Sequence, residues 1–151
     1  MKKIFLILCP VLMLICTVAA QAQEQTPADI SKKFFEVYAA KPMDAIDYIF
    51  SGVTQNRQVK DDITAIKKNL KVTIDQGGAY NGYELITEKS VGNTMKLLSY
   101  MAKYDKQPVR FIFIYYKPKD VWKIYTFQFN TNLDDELTSA AGVDQLKENK
   151  Q

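Results

Sequence analysis

The chain has 151 residues, with 20 lysines and arginines against 17 aspartates and glutamates, and no histidine. A formal charge of +3 with interspersed signs gives no electrostatic case for nucleic acid, and without histidine there is no imidazole to act as base or metal ligand. Both cysteines, Cys9 and Cys16, fall near the N-terminus, so the rest of the chain has neither a thiol nucleophile nor a disulfide.

Met1-Lys2-Lys3 supplies positive charge, Ile4 to Val18 an apolar run, and Ala20-Gln21-Ala22 a small-x-small site before Gln23. That order predicts a secretory signal peptide over 1–22. A retained membrane anchor needs about twenty apolar residues; this run is shorter and contains Pro10. Lipid attachment needs a small residue before the cysteine, whereas Leu8 and Ile15 occupy those places. The expected localisation is therefore export, periplasmic or extracellular, with no membrane association after cleavage. Removing 22 residues from 151 leaves 129, enough for one domain. Loss of Lys2 and Lys3 brings the charge from +3 to +1.

Thr26-Pro27-Ala28-Asp29 predicts a helix start: a capping hydroxyl, a proline suited to the first helical position, and an acid at the positive end. Ile30, Phe34, Val37 and Tyr38 then share one face, and Pro42 ends the helix near Lys41. A shorter helix follows, with Ile46, Ile49 and Phe50 apolar and Gly52 as its stop. Val53 to Gln58 reads as a connector. A third helix is expected from about Lys60 to Gln76, with the stripe Ile63, Ile66, Leu70 and Ile74 and with Asp61 and Asp62 in its first turn; Gly77-Gly78 ends it.

The pattern then turns to strands at Tyr83–Val91, Met95–Tyr104, Val109–Tyr116 and Trp122–Phe129, separated by short turns. A last helix is expected around 134–141, and the polar tail 143–151 lies beyond the domain at 26–142. Helices followed by four closely linked strands define an α+β class: N-terminal helices packed on an antiparallel meander, with a short C-terminal helix.

The layout resembles the nuclear transport factor 2-like (cystatin-like, SnoaL-like) superfamily. The resemblance rests on the helical segment holding Ile30-Ser31-Lys32-Lys33-Phe34-Phe35, the Gly77-Gly78 break leading to Tyr83-Glu84-Leu85-Ile86, and the hairpin Arg110-Phe111-Ile112-Phe113-Ile114-Tyr115-Tyr116-Lys117 followed by Trp122-Lys123-Ile124-Tyr125. It covers residues 26 to 133. It implies a curved sheet wrapped around a long helix, cone-like, with a pocket at the wide end. Members include isomerases, dehydratases and binding subunits, so the fold leaves function open.

Phe111, Phe113 and Tyr115 share one parity, and Tyr125, Phe127 and Phe129 share one parity of the next strand. Paired, they line the concave face, either as a pocket for a flat apolar ligand or as core against Phe34, Tyr38 and Leu70. Arg110, on the other parity, reads either as a clamp for a ligand carboxylate or phosphate, or as a rim residue lying over Tyr116 or Trp122 or paired with Glu84 or Glu88. The tentative ligand-binding set is therefore Arg110, Phe111, Phe113, Tyr115, Tyr125 and Phe127. No catalytic residue, metal site or cofactor is assigned. Asn130 to Glu136 lacks the glycine and distant acid of a calcium loop.

The resulting expectation is an exported, non-enzymatic domain that binds a small ligand or a protein partner. One alternative is a pocket enzyme of isomerase or dehydratase type, with Asp44 or Asp47 as base and Tyr48, Tyr100 or Tyr115 as donor. Another is a self-associating envelope module, because Ile112, Ile114, Trp122 and Ile124 suggest a second apolar surface through which the sheet forms a homodimer.

Overall fold

The computed structural model describes residues 25–141 except 55, 136 and 140. The expected signal peptide, the tail 143–151 and the domain boundary at 142 lie outside the described residues.

Helix α1, Pro27–Ala40, starts as the sequence predicts. The Asp29 N–H donates to Thr26 Oγ1 (3.2 Å) and the Thr26 N–H to Asp29 Oδ2 (3.0 Å), a reciprocal cap. Lys41 ends α1 and leads directly into α2, Pro42–Phe50, which buries Ala45, Ile46 and Ile49. Helix α3 spans Arg57–Gly77, three residues earlier than expected. The reason is Asn56, whose Oδ1 accepts the Val59 N–H at 2.9 Å. Lys60-Asp61-Asp62 therefore lies past the first turn, which holds no acid. Gly78, at φ +87°, takes the chain out of α3.

Strand β1 runs Tyr80–Val91, β2 Met95–Tyr104, β3 Val109–Tyr116 and β4 Lys123–Asn130. They form one antiparallel sheet in the order β1-β2-β3-β4. β1 begins three residues early because Asp105 pins its entry. The Asp105 carboxylate accepts from the Ala79 N–H (3.2 Å) and Asn81 Nδ2 (2.7 Å), and the Asp105 N–H donates to the Ala79 carbonyl. Residues 134–135, 137–139 and 141 are helical, at the expected position.

The inner sheet face packs on α1. Phe34 contacts the rings of Phe111, Phe113 and Phe127, while its neighbour Phe35 stacks on Tyr83 (4.0 Å) and meets Tyr100 edge-on. The helical stripe read from the sequence omitted Phe35. Two adjacent helical residues are both buried because the sheet curves around α1 and covers it from two sides. Leu70 closes the core from α3, with Ile63, Ile66 and Ile74 beside it. Polar atoms inside this aromatic layer are paired: Ser31 Oγ bonds Tyr115 Oη at 2.8 Å, and the Tyr38 and Tyr104 hydroxyls bond each other.

One strand departs from the expected alternation. Phe111 pairs with Phe129 and Phe113 with Phe127, but Tyr115 pairs with Ile124. The register shift inserts an extra residue, Tyr125, and a bulged residue loses its place in the alternation. Tyr125 consequently leaves the concave face and stands 67% exposed beside Tyr116. The same shift turns Ile124 inward, correcting its expected place on the outer face.

Candidate functional site

Four of the six residues in the tentative ligand set fill the interior. Phe111, Phe113 and Tyr115 are 0% exposed and Phe127 is buried. Phe113 stacks on Tyr115 and lies 5.3 Å from Phe127 and 5.1 Å from Phe34 by ring centroid. These rings occupy the hollow that a ligand would need, so they act as core. Arg110 is half-buried on the outer face, opposite Met101 and Asn130. Glu84 and Glu88 are engaged by Lys103 (2.7 Å) and Lys96 (2.5 Å). The bulge takes Tyr125 away from the others, so the set is not brought together as one site.

The Asp–Tyr arrangement is not assembled either. Asp44 faces Lys41, and Asp47 bonds Lys67 at 2.6 Å, both on the surface. Every aspartate and glutamate whose side chain is described is exposed, so none stands in the buried apolar setting that the Asp–Tyr reading needs. Tyr100 and Tyr115 lie in the core, where burial raises their hydroxyl pKa values. Among the described residues no three Asp, Glu, His or Cys side chains cluster as metal ligands. The Asn130 side chain caps its own turn, accepting the Asn132 N–H at 3.1 Å.

One recess lies at the end of the sheet, where the β3–β4 connection faces the α2–α3 connection. Its first half, about 190 Å³, is lined by Ile30 of α1, Tyr48 and Ile49 of α2, Ser51-Gly52-Val53, and Val121 to Ile124. Its second, about 230 Å³, shares Gly52, Val53, Lys123 and Ile124 and adds Thr54, Tyr116, Pro118 and Tyr125. The local sequence explains the shape. Pro118 to Val121 form an irregular connection that carries Trp122 past the end of β3. Ser51 Oγ donates to the Tyr48 carbonyl (2.8 Å) and the Val53 N–H to the Phe50 carbonyl (3.1 Å), which holds the opposite wall in a tight turn.

Ile30, Tyr48, Val53, Trp122 and Ile124 are each half-buried, so their apolar surface faces the recess. Burial raises the Tyr48 hydroxyl pKa, which keeps it a neutral donor. Lys117 Nζ lies 5.2 Å from the Trp122 ring centroid, a cation over the ring that lines this recess. Trp122 was expected on the outer face; it turns to this cleft instead. The sequence signal that could have found the site is the lone tryptophan after a proline-containing turn, because tryptophan favours places that are apolar at one end and wet at the other.

No protein-family model matches the chain, and no curated protein matches it. Among solved structures, the crystal structure of an NTF-2-like protein of unknown function from Shewanella oneidensis is similar to it: 17% identical, covering 69% of this chain and 98% of that one, with a TM-score of 0.42.

Proposed function

We propose that this chain is an exported, non-enzymatic binding domain that holds a small, largely apolar ligand in the cleft beside Trp122. The carrying observation is a contrast. The hollow of the sheet is packed solid with Phe34, Phe111, Phe113 and Tyr115, while Ile30, Val53, Trp122 and Ile124 present apolar surface to an open recess. A concave apolar site with few polar groups is the usual form of a small-molecule site. The exposed carboxylates support binding over acid–base chemistry.

Trp122 is the chain's single tryptophan, so its emission reports this cleft alone. Titration with 1-octanol should shift that emission saturably. Val53→Arg should abolish the shift with far-UV circular dichroism and thermal melt preserved, since Val53 lies in a loop. Octanol that leaves both Trp122 emission and calorimetric heat unchanged would sink the reading.

A second reading concerns the outer sheet face. Leu97, Met101, Ile112 and Ile114 are half-buried there, and Tyr116 is 42% exposed. A second copy of the chain applied to this face would cover them, giving a homodimer through the sheet. Sedimentation over a range of concentrations tests it.

A further inference from the structure

The charge around the cleft identifies the kind of ligand, an inference that rests on the cleft reading above. Neither half of the recess is lined by an aspartate or glutamate. Lys123 lines both halves, and among the described residues no ion pair engages it. Lys117 stands over the Trp122 ring. Lys119 lies in the same connection, where Asp120 is the one acid between Tyr116 and Trp122. Apolar side chains and Lys123 thus line the same opening, with Lys117 beside Trp122. A cationic ligand would be repelled there, and a neutral one would gain nothing from the lysines. An anion with an apolar body meets both, and its field is screened less beside a low-dielectric wall than in open water.

Size narrows the class. The two halves, about 190 and 230 Å³, together reach only the lower part of the range usual for ligand pockets, which suits one short chain or one ring. We infer that the cleft takes a short amphipathic carboxylate, acyl or aryl, with its apolar part against Ile30, Val53 and Trp122 and its carboxylate at Lys123.

The test compares octanoate, 1-octanol and octylamine on the intact mature chain, read by Trp122 emission and by calorimetry. Octanoate should bind and octylamine should not. Lys123→Gln should weaken octanoate by about three- to fivefold, the size of an exposed ion pair, and leave octanol unchanged. Lys123→Glu should reverse the preference toward octylamine, and high salt should shrink the octanoate advantage. Lys123 is exposed, so neither variant disturbs folding. If all three amphiphiles bind alike and both variants leave their ratios unchanged, the carboxylate inference falls while the cleft reading stands. If none binds, both fall.

Discussion

The two faces of β3 carry nearly the same chemistry and meet different fates. Inward, Phe111, Phe113 and Tyr115 are 0% exposed, locked between α1 and β4. Outward, Ile112 and Ile114 are half-buried and Tyr116 is exposed. Hydropathy determines which surfaces favour leaving water; the presence of an opposing element determines which of them do. On the inner side that element is α1. On the outer side Ile112 and Ile114 have Met95, Leu97 and Met101 of β2 on the same face, and these side chains cover one another in part. The buried face and the half-wet face are distinguished here by what packs against them.

Truncation should separate the faces most sharply. Phe113→Ala removes a ring in contact with Phe34, Tyr100, Tyr115 and Phe127, and it should cost about 3–5 kcal/mol, the range for a buried phenylalanine. Ile112→Ala, on the adjacent outward position, should cost about 1 kcal/mol, because the removed methyls are already partly wet. Urea denaturation of both variants gives the comparison. Equal losses would mean that the outer face is as fully covered as the inner one.

The inner face also carries the tyrosines, and pH can probe it without mutation. Burial raises the pKa values of Tyr38, Tyr80, Tyr104 and Tyr115 above that of an ordinary phenol. In the unfolded chain they ionise near pH 10, while in the folded chain they stay protonated. Above that pH the unfolded state binds fewer protons, so stability falls as pH rises, by about 1.4 kcal/mol per pH unit for each tyrosine that ionises only when unfolded. Below about pH 9 these groups should contribute no slope. Denaturation midpoints on either side of that value check it. Tyr38→Phe with Tyr104→Phe should flatten the alkaline fall while keeping the ring packing.

This contrast also marks how far the sequence could be read. Helix starts were legible where a local device announces them, as at Thr26-Pro27, and β2 and β3 fall at Met95–Tyr104 and Val109–Tyr116 as predicted. The start of α3 was misplaced because Asn56, a lone capping side chain, carries no acidic first turn with it. Strand parity read Phe111, Phe113 and Tyr115 correctly as one face, yet it failed on Tyr125. A bulge is a property of the pairing between β3 and β4, and no residue in Ile124-Tyr125-Thr126 announces it. The cleft was illegible for a related reason: Ile30, Val53 and Trp122 are distant in sequence and meet only through the docking of α1 and α2 beside the β3–β4 connection.

A smaller effect tests the polar stitching of the inner face. Tyr115→Phe keeps the ring stacked on Phe113 but removes one of the hydroxyls that Ser31 Oγ engages, the other being that of Tyr100. Ser31 is fully buried, so its hydroxyl is left without that bond, at a cost of about 1–3 kcal/mol. Ser31→Ala with Tyr115→Phe removes both partners and should recover part of that loss. A double-mutant cycle by denaturation measures the coupling; additive single losses would mean that water replaces the bond and that this part of the core is wetter than its burial implies.

The smallest stability change bears on the outer face. Ile114→Thr keeps β-branching and pairing with Leu97 and Thr126, so the monomer should lose less than about 1 kcal/mol. Its effect on association should be larger than its effect on folding. If a second copy covers this face, a hydroxyl at its centre is desolvated without a partner and shifts the monomer–dimer equilibrium toward monomer by about tenfold or more. Sedimentation equilibrium of wild type and variant reads that shift directly. A wild-type chain that stays monomeric across the range would show that the half-wet isoleucines of β3 tolerate water without a partner, and the difference between its two faces would then be one of packing alone.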